Sequence, residues 1–158
     1  MSFDSRELRD ALGQFSTGVC LVTVTDDRGI AHALTVNSFA SVSLEPPLVL
    51  WSLQKDSEVY ALYANAAQYG IAVLSQSQQA ESASYAKKNE HRLAPEHYAL
   101  GSNGAPLING ALVNFECSLE HALDGGDHTI LLGRVTRLTP INGEPPLVFF
   151  GGRYRELQ

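Results

Sequence analysis

The sequence has 158 residues, the length of one domain that can bury a hydrophobic core without disulfides or metal ions. Its 11 Lys and Arg against 17 Asp and Glu leave a formal net charge of -6, which argues against nucleic acid or an anionic membrane as a partner. Charged residues amount to 18%, below the roughly 25% of an average soluble chain, and this low fraction favours an oligomer.

The secondary structure follows from the spacing of apolar residues along the chain. In chain order, the patterns predict a helix at residues 4–15, paired strands at 18–25 and 30–37, a strand at 48–53, a helix at 57–66, a strand at 69–75, a helix at 76–89, and strands at 111–123, 128–138 and 147–150. Asp4 and Glu7 form a capping-box pattern at the start of the first helix. Ser57 lies near the predicted N-cap of the second, and Lys87 and Lys88 suit the C-terminal end of the third.

Turn signals separate the strands, with DDRG at residues 26–29 and DGGD at residues 124–127. Residues 90–110 contain Pro, Gly and Asn without sustained periodicity, and this length marks a candidate functional loop. Most strands follow one another without an intervening helix, so we expect an antiparallel barrel rather than a doubly wound sheet.

Cysteine and histidine positions exclude several kinds of site. Cys20 and Cys117 lie in strand-like runs far apart in the sequence, and we expect both to be buried, free thiols. No pair among the five histidines has metal-ligand spacing, so no metal site is expected. The start, MSFDSREL, lacks the layout of a secretory signal, and no apolar run is long enough for a membrane span, which predicts a cytoplasmic protein.

Residues 32–57, HALTVNSFASVSLEPPLVLWSLQKDS, are unusually rich in Ser, Thr and Asn for a strand region. Small polar side chains of this kind can hydrogen-bond the polar edge of a ring and let backbone amides come close. Ordinary edge-strand and turn chemistry is the alternative. We expect Trp51, within this segment, to belong to the core rather than to a ligand site.

Four blocks of sequence occur in the order found in a known family: FSTGVCLVTV, ALTVNSFASVSLEPPLVL, GDHTILLGRV and GRYREL. From about Phe15 to Tyr154 the chain resembles the flavin reductase-like domain of short NAD(P)H:flavin oxidoreductases. The resemblance implies a single domain over residues 1–158, mainly β with short helices, folded as an antiparallel, Greek-key-like, FMN-binding split barrel and forming a homodimer. It also implies hydride transfer from NADH or NADPH to FMN or FAD, with supply of reduced flavin to a separate monooxygenase.

The resemblance assigns one group of residues to the flavin ring. Along the polar edge of the isoalloxazine it implies Thr35, Val36, Asn37 and Ser38, whose amides and side chains suit the ring nitrogens and oxygens. Strand packing is the alternative role for the hydroxyl residues of this group.

A second group is assigned to the phosphate and to the nicotinamide. Ser52, Lys55 and Ser57 lie between a strand and a predicted helix, where free amides and a positive charge suit a flavin phosphate. His128 matches the family's histidine placed by nicotinamide and flavin. No protein acid or base is needed for direct hydride transfer, so no residue is assigned a catalytic role in the narrow sense.

The C-terminal block and two departures from the family complete the assignment. Arg153 and Tyr154 match the family's motif near the flavin or the dimer contact, and Arg153 serves either a phosphate or an interface ion pair. Ala72 stands where the family often has Asn, and by the resemblance this chain lacks one polar contact or strand-anchoring bond of the family. Gly151 replaces a larger residue often found before the motif.

Two other functions remain compatible with these residues. One is a split-barrel protein that keeps FMN tightly bound and acts on another small substrate, and the other is a flavin-binding carrier without nicotinamide turnover. The Asp127-His128-Thr129 block favours a reductase over a carrier. The choices of FMN against FAD and NADH against NADPH stay open, as does the identity of the monooxygenase.

Overall fold

The protein folds mainly into antiparallel β-strands with short helices, as the sequence predicts. The computed structural model describes residues 2–158. The helices are α1 (Ser5–Leu12), α2 (Tyr60–Ala64) and α3 (Gln79–Tyr85), with 3-10 turns at Gln76–Gln78 and Pro95–His97. The strands are β1 (Thr17–Gly18), β2 (Cys20–Thr25), β3 (Ala31–Val36), β4 (Ala40–Leu44), β5 (Pro47–Gln54), β6 (Gln68–Val73), β7 (Tyr98–Leu100), β8 (Pro106–Ile108), β9 (Val113–Gly125), β10 (His128–Leu138), β11 (Val148–Phe150) and β12 (Arg153–Arg155).

The first helix begins with the capping box that the sequence predicts. The Asp4 carboxylate accepts a hydrogen bond from the Glu7 amide, and the Glu7 carboxylate accepts one from the Asp4 amide, each at 2.8 Å. The helix ends at Leu12, before the predicted residue 15, with Gly13 as its C-cap. Within residues 2–158, no helix combines the length and the apolar character needed to cross a membrane.

Seven strands form one antiparallel sheet in the order β3-β2-β6-β9-β10-β5-β4. Its two edge strands, β3 and β4, follow each other in the chain and are joined by residues 37–39. The chain from Val36 to Ala40 spans at most about 14 Å, whereas seven strands laid flat are about 29 Å wide between the outer strands. The sheet therefore curls until its edges come close, which gives a barrel that is open between β3 and β4.

The long hairpin of β9 and β10 positions His128 at one end of this barrel. His128 is the first residue of β10 and pairs with Gly125 of β9 on one side and with Gln54 of β5 on the other. Strand β9 pairs with β6 only from Val113 to Ser118. The remainder of the hairpin therefore extends past β6 at the end where His128 lies.

One core fills the barrel around Trp51, which is completely buried, so the expected core role of this residue is confirmed. Its ring meets Tyr63 and Tyr69 edge-on, with ring centroids 5.7 and 6.3 Å apart. Cys20 and Cys117 belong to the same core and are free thiols, as predicted. Burial raises the pKa of each thiol to about 12, which makes both unreactive near neutral pH.

A second core lies on the other face of β2, because successive strand residues point to opposite faces. Leu21 and Leu74 pack there against Tyr85 of α3 and against two residues from loops, Leu93 and Leu147. Strand β2 is thus covered on both faces, which explains why residues 20–24 are all buried.

The helix predicted at residues 76–89 is shorter in the structure and ends at Tyr85. Lys87 and Lys88 therefore lie outside it, contrary to the prediction that they occupy its C-terminal end. Asn89 adopts a left-handed conformation with φ of 63°, which turns the chain back toward β3. After this turn, the backbone of residues 91–93 hydrogen-bonds to β3, and the helix does not continue.

Residues 90–110, predicted as an irregular connection, are more ordered than expected. They contain the antiparallel pair of β7 and β8, and they also bond to the edge of β3. The Ala33 amide donates to the His91 carbonyl oxygen at 2.7 Å, and the Leu93 amide donates to the Ala31 carbonyl oxygen at 2.9 Å. Local sequence gave no sign of these bonds because their partners are about 60 residues away.

Gly133 of β10 lies against the hydroxyl end of the Tyr69 side chain inside the barrel. A Cβ atom built on Gly133 would overlap the Tyr69 hydroxyl oxygen and would lie 3.0 Å from Tyr69 Cζ. Tyr69 is 1% exposed and cannot move toward solvent. The position therefore has room for glycine alone.

We expect Gly133→Ala to lower the free energy of unfolding by about 1 to 3 kcal/mol, the usual cost of overpacking a close-packed core. Urea unfolding followed by the fluorescence of Trp51 measures the change. Gly18→Ala is the matched control, because a Cβ on Gly18 meets nothing within 4 Å, and its effect should stay within about 0.5 kcal/mol. Equal stabilities of the two variants would contradict this account of the core.

Candidate functional site

A cleft of about 950 Å³ opens where the link between β3 and β4 meets the end of the β9–β10 hairpin. Its other walls come from the C-terminal end of α1, from β11 and from the turn after β11. A smaller cavity of about 280 Å³ continues from it along β3 and β5. The two cavities share Asn37, Ser38, Ser52 and His128.

Most of the residues predicted from the sequence meet at these cavities. Those that line one or both are Thr35, Val36, Asn37, Ser38, Ser52, Ser57 and His128. Lys55 is not a lining residue, but it lies between Gln54 and Ser57, which are. Arg153 and Tyr154 also lie outside the lining and follow directly on the lining turn of Gly151 and Gly152.

Ser38 holds the link between β3 and β4 against β5. Its hydroxyl oxygen accepts a hydrogen bond from the Ser52 amide at 2.9 Å and donates to the Ser52 carbonyl oxygen at 3.3 Å. The regular pairing of β4 with β5 stops at Ala40 and Leu50, so this contact between Ser38 and Ser52 continues it two residues further along each strand. The Ser38 hydroxyl is therefore occupied by the fold.

Asn37 and Ser52 have side chains that the fold leaves free. Within residues 2–158, neither the side-chain amide of Asn37 nor the hydroxyl of Ser52 makes a hydrogen bond to another protein group. Both line the two cavities, and the contact between Ser38 and Ser52 fixes the backbone beside them. They offer one amide and one hydroxyl to the polar edge of a bound molecule.

Thr35 and Tyr154, both predicted at the flavin, are joined through Ser82 of α3. The Thr35 hydroxyl donates to the Ser82 carbonyl oxygen at 2.6 Å, and the Ser82 and Tyr154 hydroxyls lie 2.7 Å apart. Ser82 is completely buried. Sequence reasoning missed this residue, because a serine in a polar, alanine-rich helix carries no sign of such a role. The hydroxyls of Thr35 and Tyr154 serve to join β3, α3 and β12.

The predicted helix start at Ser57 is wrong, since α2 begins at Tyr60. The Ser57 amide donates to the Gln54 carbonyl oxygen at 3.2 Å, and the Tyr60 amide donates to the Ser57 carbonyl oxygen at 3.0 Å. These turn bonds occupy the amides that a helix start would have left open. The candidate phosphate donors that remain are the Lys55 ammonium and the Ser57 hydroxyl.

Lys55 lies in a group of charged side chains at the end of the β9–β10 hairpin. Its ammonium group forms an ion pair with the Asp124 carboxylate, and its amide donates to the Asp127 carbonyl oxygen at 2.9 Å. The Asp127 carboxylate is 2.7 Å from His128 Nδ1. This bond, with a smaller contribution from the Lys55 charge, holds the pKa of Asp127 below its usual range.

His128 is oriented by Asp127 with one ring nitrogen left over. Because a carboxylate only accepts, Nδ1 carries a proton in this contact, and Nε2 is available to a ligand. The side chain is 39% exposed and lines both cavities. It can therefore reach a molecule that enters from solvent.

The turn of Gly151 and Gly152 closes one side of the cleft. Both residues have positive φ values, 60° and 78°, which a two-residue type I′ hairpin requires and which glycine adopts without strain. The Gly151 amide donates to the Gly13 carbonyl oxygen at 2.9 Å, which ties the turn to the end of α1. Arg153, next in the chain, is exposed.

Several lining residues were not predicted as part of the site. Phe149 and Ile130 supply apolar surface, and Arg9, Leu12 and Phe15 come from α1 and the residues after it. The spacing of its apolar residues predicted α1 as an amphipathic helix, and in the structure α1 has no buried residue. The sequence pattern identified the apolar face correctly but could not show what covers it.

A partly buried contact between Glu58 and His91, whose side chains are 29% and 6% exposed, fixes the chain beside the smaller cavity. Glu58 Oε1 accepts from the Asn89 amide at 2.9 Å and lies 2.8 Å from Nε2 of His91, whose Nδ1 lies 3.1 Å from the Ala33 carbonyl oxygen. The Asn89 bond, the backbone amide of Glu58 itself and His91 together lower the pKa of Glu58 to about 2. Glu58 follows Ser57, so this contact links the segment that carries the candidate phosphate donors, Lys55 and Ser57, to β3.

The two cavities together fit a planar heteroaromatic ring with an anionic tail. The larger cavity, about 950 Å³, has the volume of a cofactor pocket, about 300 to 1,000 Å³, and the smaller one adds about 280 Å³. Asn37 and Ser52 present polar groups, Phe149 and Ile130 present apolar surface, and a lysine lies at one end. A flavin has this combination of features.

Comparison with known proteins agrees with this fit. A model of the flavin reductase-like domain family matches residues 12–158. FMN reductase (NADH) SmoA of Agrobacterium fabrum is 44% identical over 151 residues, which cover 96% of this chain and 85% of that protein. HsaB, the reductase subunit of a flavin-dependent monooxygenase from Rhodococcus jostii, is 37% identical over 157 residues, covering 99% of this chain and 80% of HsaB.

A solved structure extends the likeness to the fold. The NADH:FAD oxidoreductase SgcE6 of Streptomyces globisporus, in complex with NAD and FAD fragments, is 36% identical and matches with a TM-score of 0.92. The match covers 98% of this chain and 93% of that one. Among curated relatives the coverage varies, and the chain spans 43% of one that is 44% identical over 134 residues.

We expect the contribution of Glu58 to stability to depend on pH. Since the pKa of Glu58 is lowered from 4.5 to about 2 on folding, its stabilising effect is complete above about pH 4.5 and is lost as the pH falls toward 2. The difference in free energy of unfolding between wild type and Glu58→Gln should therefore be constant near neutral pH and shrink below about pH 4.5. Urea unfolding at several pH values measures it.

Glu90→Gln provides the control, because Glu90 is an exposed carboxylate of the same segment and forms no ion pair within residues 2–158. A difference between wild type and Glu58→Gln that stays the same from pH 6 to about pH 3 would refute the linkage.

Proposed function

The chain belongs to the flavin reductase-like domain family, and from this membership and the geometry of the cleft we propose that it is an NAD(P)H-dependent flavin reductase. The observation that carries the proposal is the meeting of Asn37, Ser52 and His128, from three separate parts of the sequence, in one cleft of cofactor size. The relatives named as NADH-dependent support NADH as the donor.

The residues of the cleft divide the work of binding. Asn37 and Ser52 bind the polar edge of the flavin ring, and Phe149 gives it an apolar wall. Lys55 and Ser57 bind its phosphate through charge-assisted hydrogen bonds. A flavin bound there would supply the redox chemistry, as the acceptor of a hydride from the reduced nicotinamide.

His128 binds and orients the nicotinamide. Asp127 holds its ring through Nδ1 and leaves Nε2 free, so that Nε2 could bind the carboxamide of the incoming nucleotide. The protein thus acts by holding two planar rings in a reactive arrangement, and it needs no side chain that transfers a proton.

We further propose that the protein works as a cytoplasmic homodimer that supplies reduced flavin to a separate monooxygenase. The relative HsaB, a reductase subunit of such an enzyme, supports the partner. The dimer is supported by the exposed apolar residues Leu8, Leu12 and Phe15 on and after α1, which are 44%, 66% and 78% exposed. Sedimentation equilibrium should give twice the chain mass of 17.1 kDa, and a single-chain mass at micromolar concentration would exclude the dimer.

Oxidation of NADH by the purified protein, with and without added flavin, tests the proposed function. A flavin-supplying reductase should turn over only when free FMN or FAD is present, with a rate that saturates with flavin concentration. Turnover without added flavin would indicate a tightly bound cofactor and a different substrate. Flavin binding without NADH oxidation would indicate a carrier.

We expect His128→Ala to reduce kcat/KM for NADH by roughly five- to a hundredfold, the effect of losing about 1 to 3 kcal/mol of transition-state binding. Flavin affinity should be nearly unchanged, because His128 contacts the nicotinamide side. Stopped-flow reduction and flavin titration on the same variant measure the two effects. His121→Ala is a suitable control, since His121 lies on the same hairpin, is exposed and lines neither cavity. A lower melting temperature with normal reduction kinetics would assign His128 a structural role.

A further inference from the structure

Lys55 is the cation that the proposed function assigns to the flavin phosphate, and its ammonium group already has an anionic partner. It forms an ion pair with the carboxylate of Asp124, the penultimate residue of β9. The Lys55 side chain is 42% exposed and that of Asp124 is 80% exposed. The contact therefore lies at the surface, where a ligand can reach it.

This ion pair lies beside both cavities. Asp124 pairs with Thr129 across the hairpin and precedes Gly125, which lines the larger cleft. Lys55 follows Gln54, which lines the smaller cavity. Its backbone is fixed by the bond from its amide to the Asp127 carbonyl oxygen, so only the side chain is free to change partner.

We propose that Asp124 competes with the flavin phosphate for Lys55 and so weakens the binding of phosphorylated flavins. A phosphate carries a charge of about -1.5 to -2 and has three strong acceptor oxygens. To bind it, the Lys55 ammonium group must leave the Asp124 carboxylate or be shared between the two anions. An exposed ion pair of this kind is weak, so the competition lowers affinity without preventing binding.

The proposal rests on the proposed function and gives it a specific property. A reductase that hands reduced flavin to another protein must release it in every cycle. Asp124 is placed to take back the ammonium group when the phosphate leaves. It is thus a specificity-determining residue that acts on FMN and FAD and not on riboflavin, which has no phosphate.

Asp124→Asn tests the competition, because it removes the charge and keeps the shape of the side chain. The Kd for FMN should fall about two- to fivefold at low ionic strength, and the Kd for riboflavin should stay the same. The gain should shrink as salt screens the charges. Asp27→Asn is the matched control, since Asp27 is an exposed carboxylate in the turn at the opposite end of β3, and it should leave the ratio of the two Kd values unchanged.

Lys55→Ala, alone and combined with Asp124→Asn, separates the possible outcomes. Lys55→Ala should weaken the binding of FMN and leave the binding of riboflavin unchanged. In the Lys55→Ala background, adding Asp124→Asn should have little further effect on FMN affinity. An equal gain from Asp124→Asn with and without Lys55 would mean direct repulsion and would overturn the competition. A loss of FMN affinity in Asp124→Asn would overturn it too, since Asp124 would then be positioning the lysine.

The same variants distinguish a failure of this inference from a failure of the phosphate assignment. If Lys55→Ala weakens FMN binding and Asp124→Asn does not change it, the assignment of Lys55 to the phosphate is supported and the proposed competition is wrong. If Lys55→Ala leaves FMN binding unchanged, the phosphate lies elsewhere and both are wrong. Thermal melts of each variant verify that the comparison is made on folded protein.

Discussion

The short link between β3 and β4 is the constraint on which the rest of the structure depends. These strands are the two edges of a seven-stranded sheet, and residues 37–39 are too few to join them unless the sheet curls. The curl encloses the core around Trp51 and brings Asn37 and Ser38 next to Ser52. The candidate site lies where the curled sheet does not close, beside the link that joins its two edge strands.

The polar residues of this region serve two purposes. Some hold the fold together, and others are free to bind a ligand. The hydroxyls of Ser38, Thr35 and Tyr154 are bonded within the protein and hold β3, β5, α3 and β12 in place. The side chains of Asn37 and Ser52 remain open to the cleft. A binding site needs both kinds of residue, since a free donor is useful only on a backbone that does not move.

The charges around the cleft fit an enzyme that releases what it binds. The protein is acidic overall, and Lys55 stands among the carboxylates of Asp124 and Asp127. The neighbouring carboxylates reduce the net electrostatic attraction of Lys55 for an anionic ligand, so the lysine binds the ligand only weakly. Asp127 also orients His128, so one group of charges serves both the proposed phosphate end and the proposed nicotinamide side.

The sequence by itself determined the elements whose causes are local. The capping box of α1, the alternation of the strands and the paired glycines of the tight turns follow from near neighbours, and seven of the ten candidate residues do line the cavities. Only the tertiary structure decided the contact of Ser82 with Tyr154 and the ion pair of Lys55 with Asp124, which join residues 72 and 69 positions apart. It also decided the late start of α2 and the pairing of residues 91–93 with β3. These depend on how the sheet curls, and a local pattern records which face of a strand is apolar but not which distant segment will cover it.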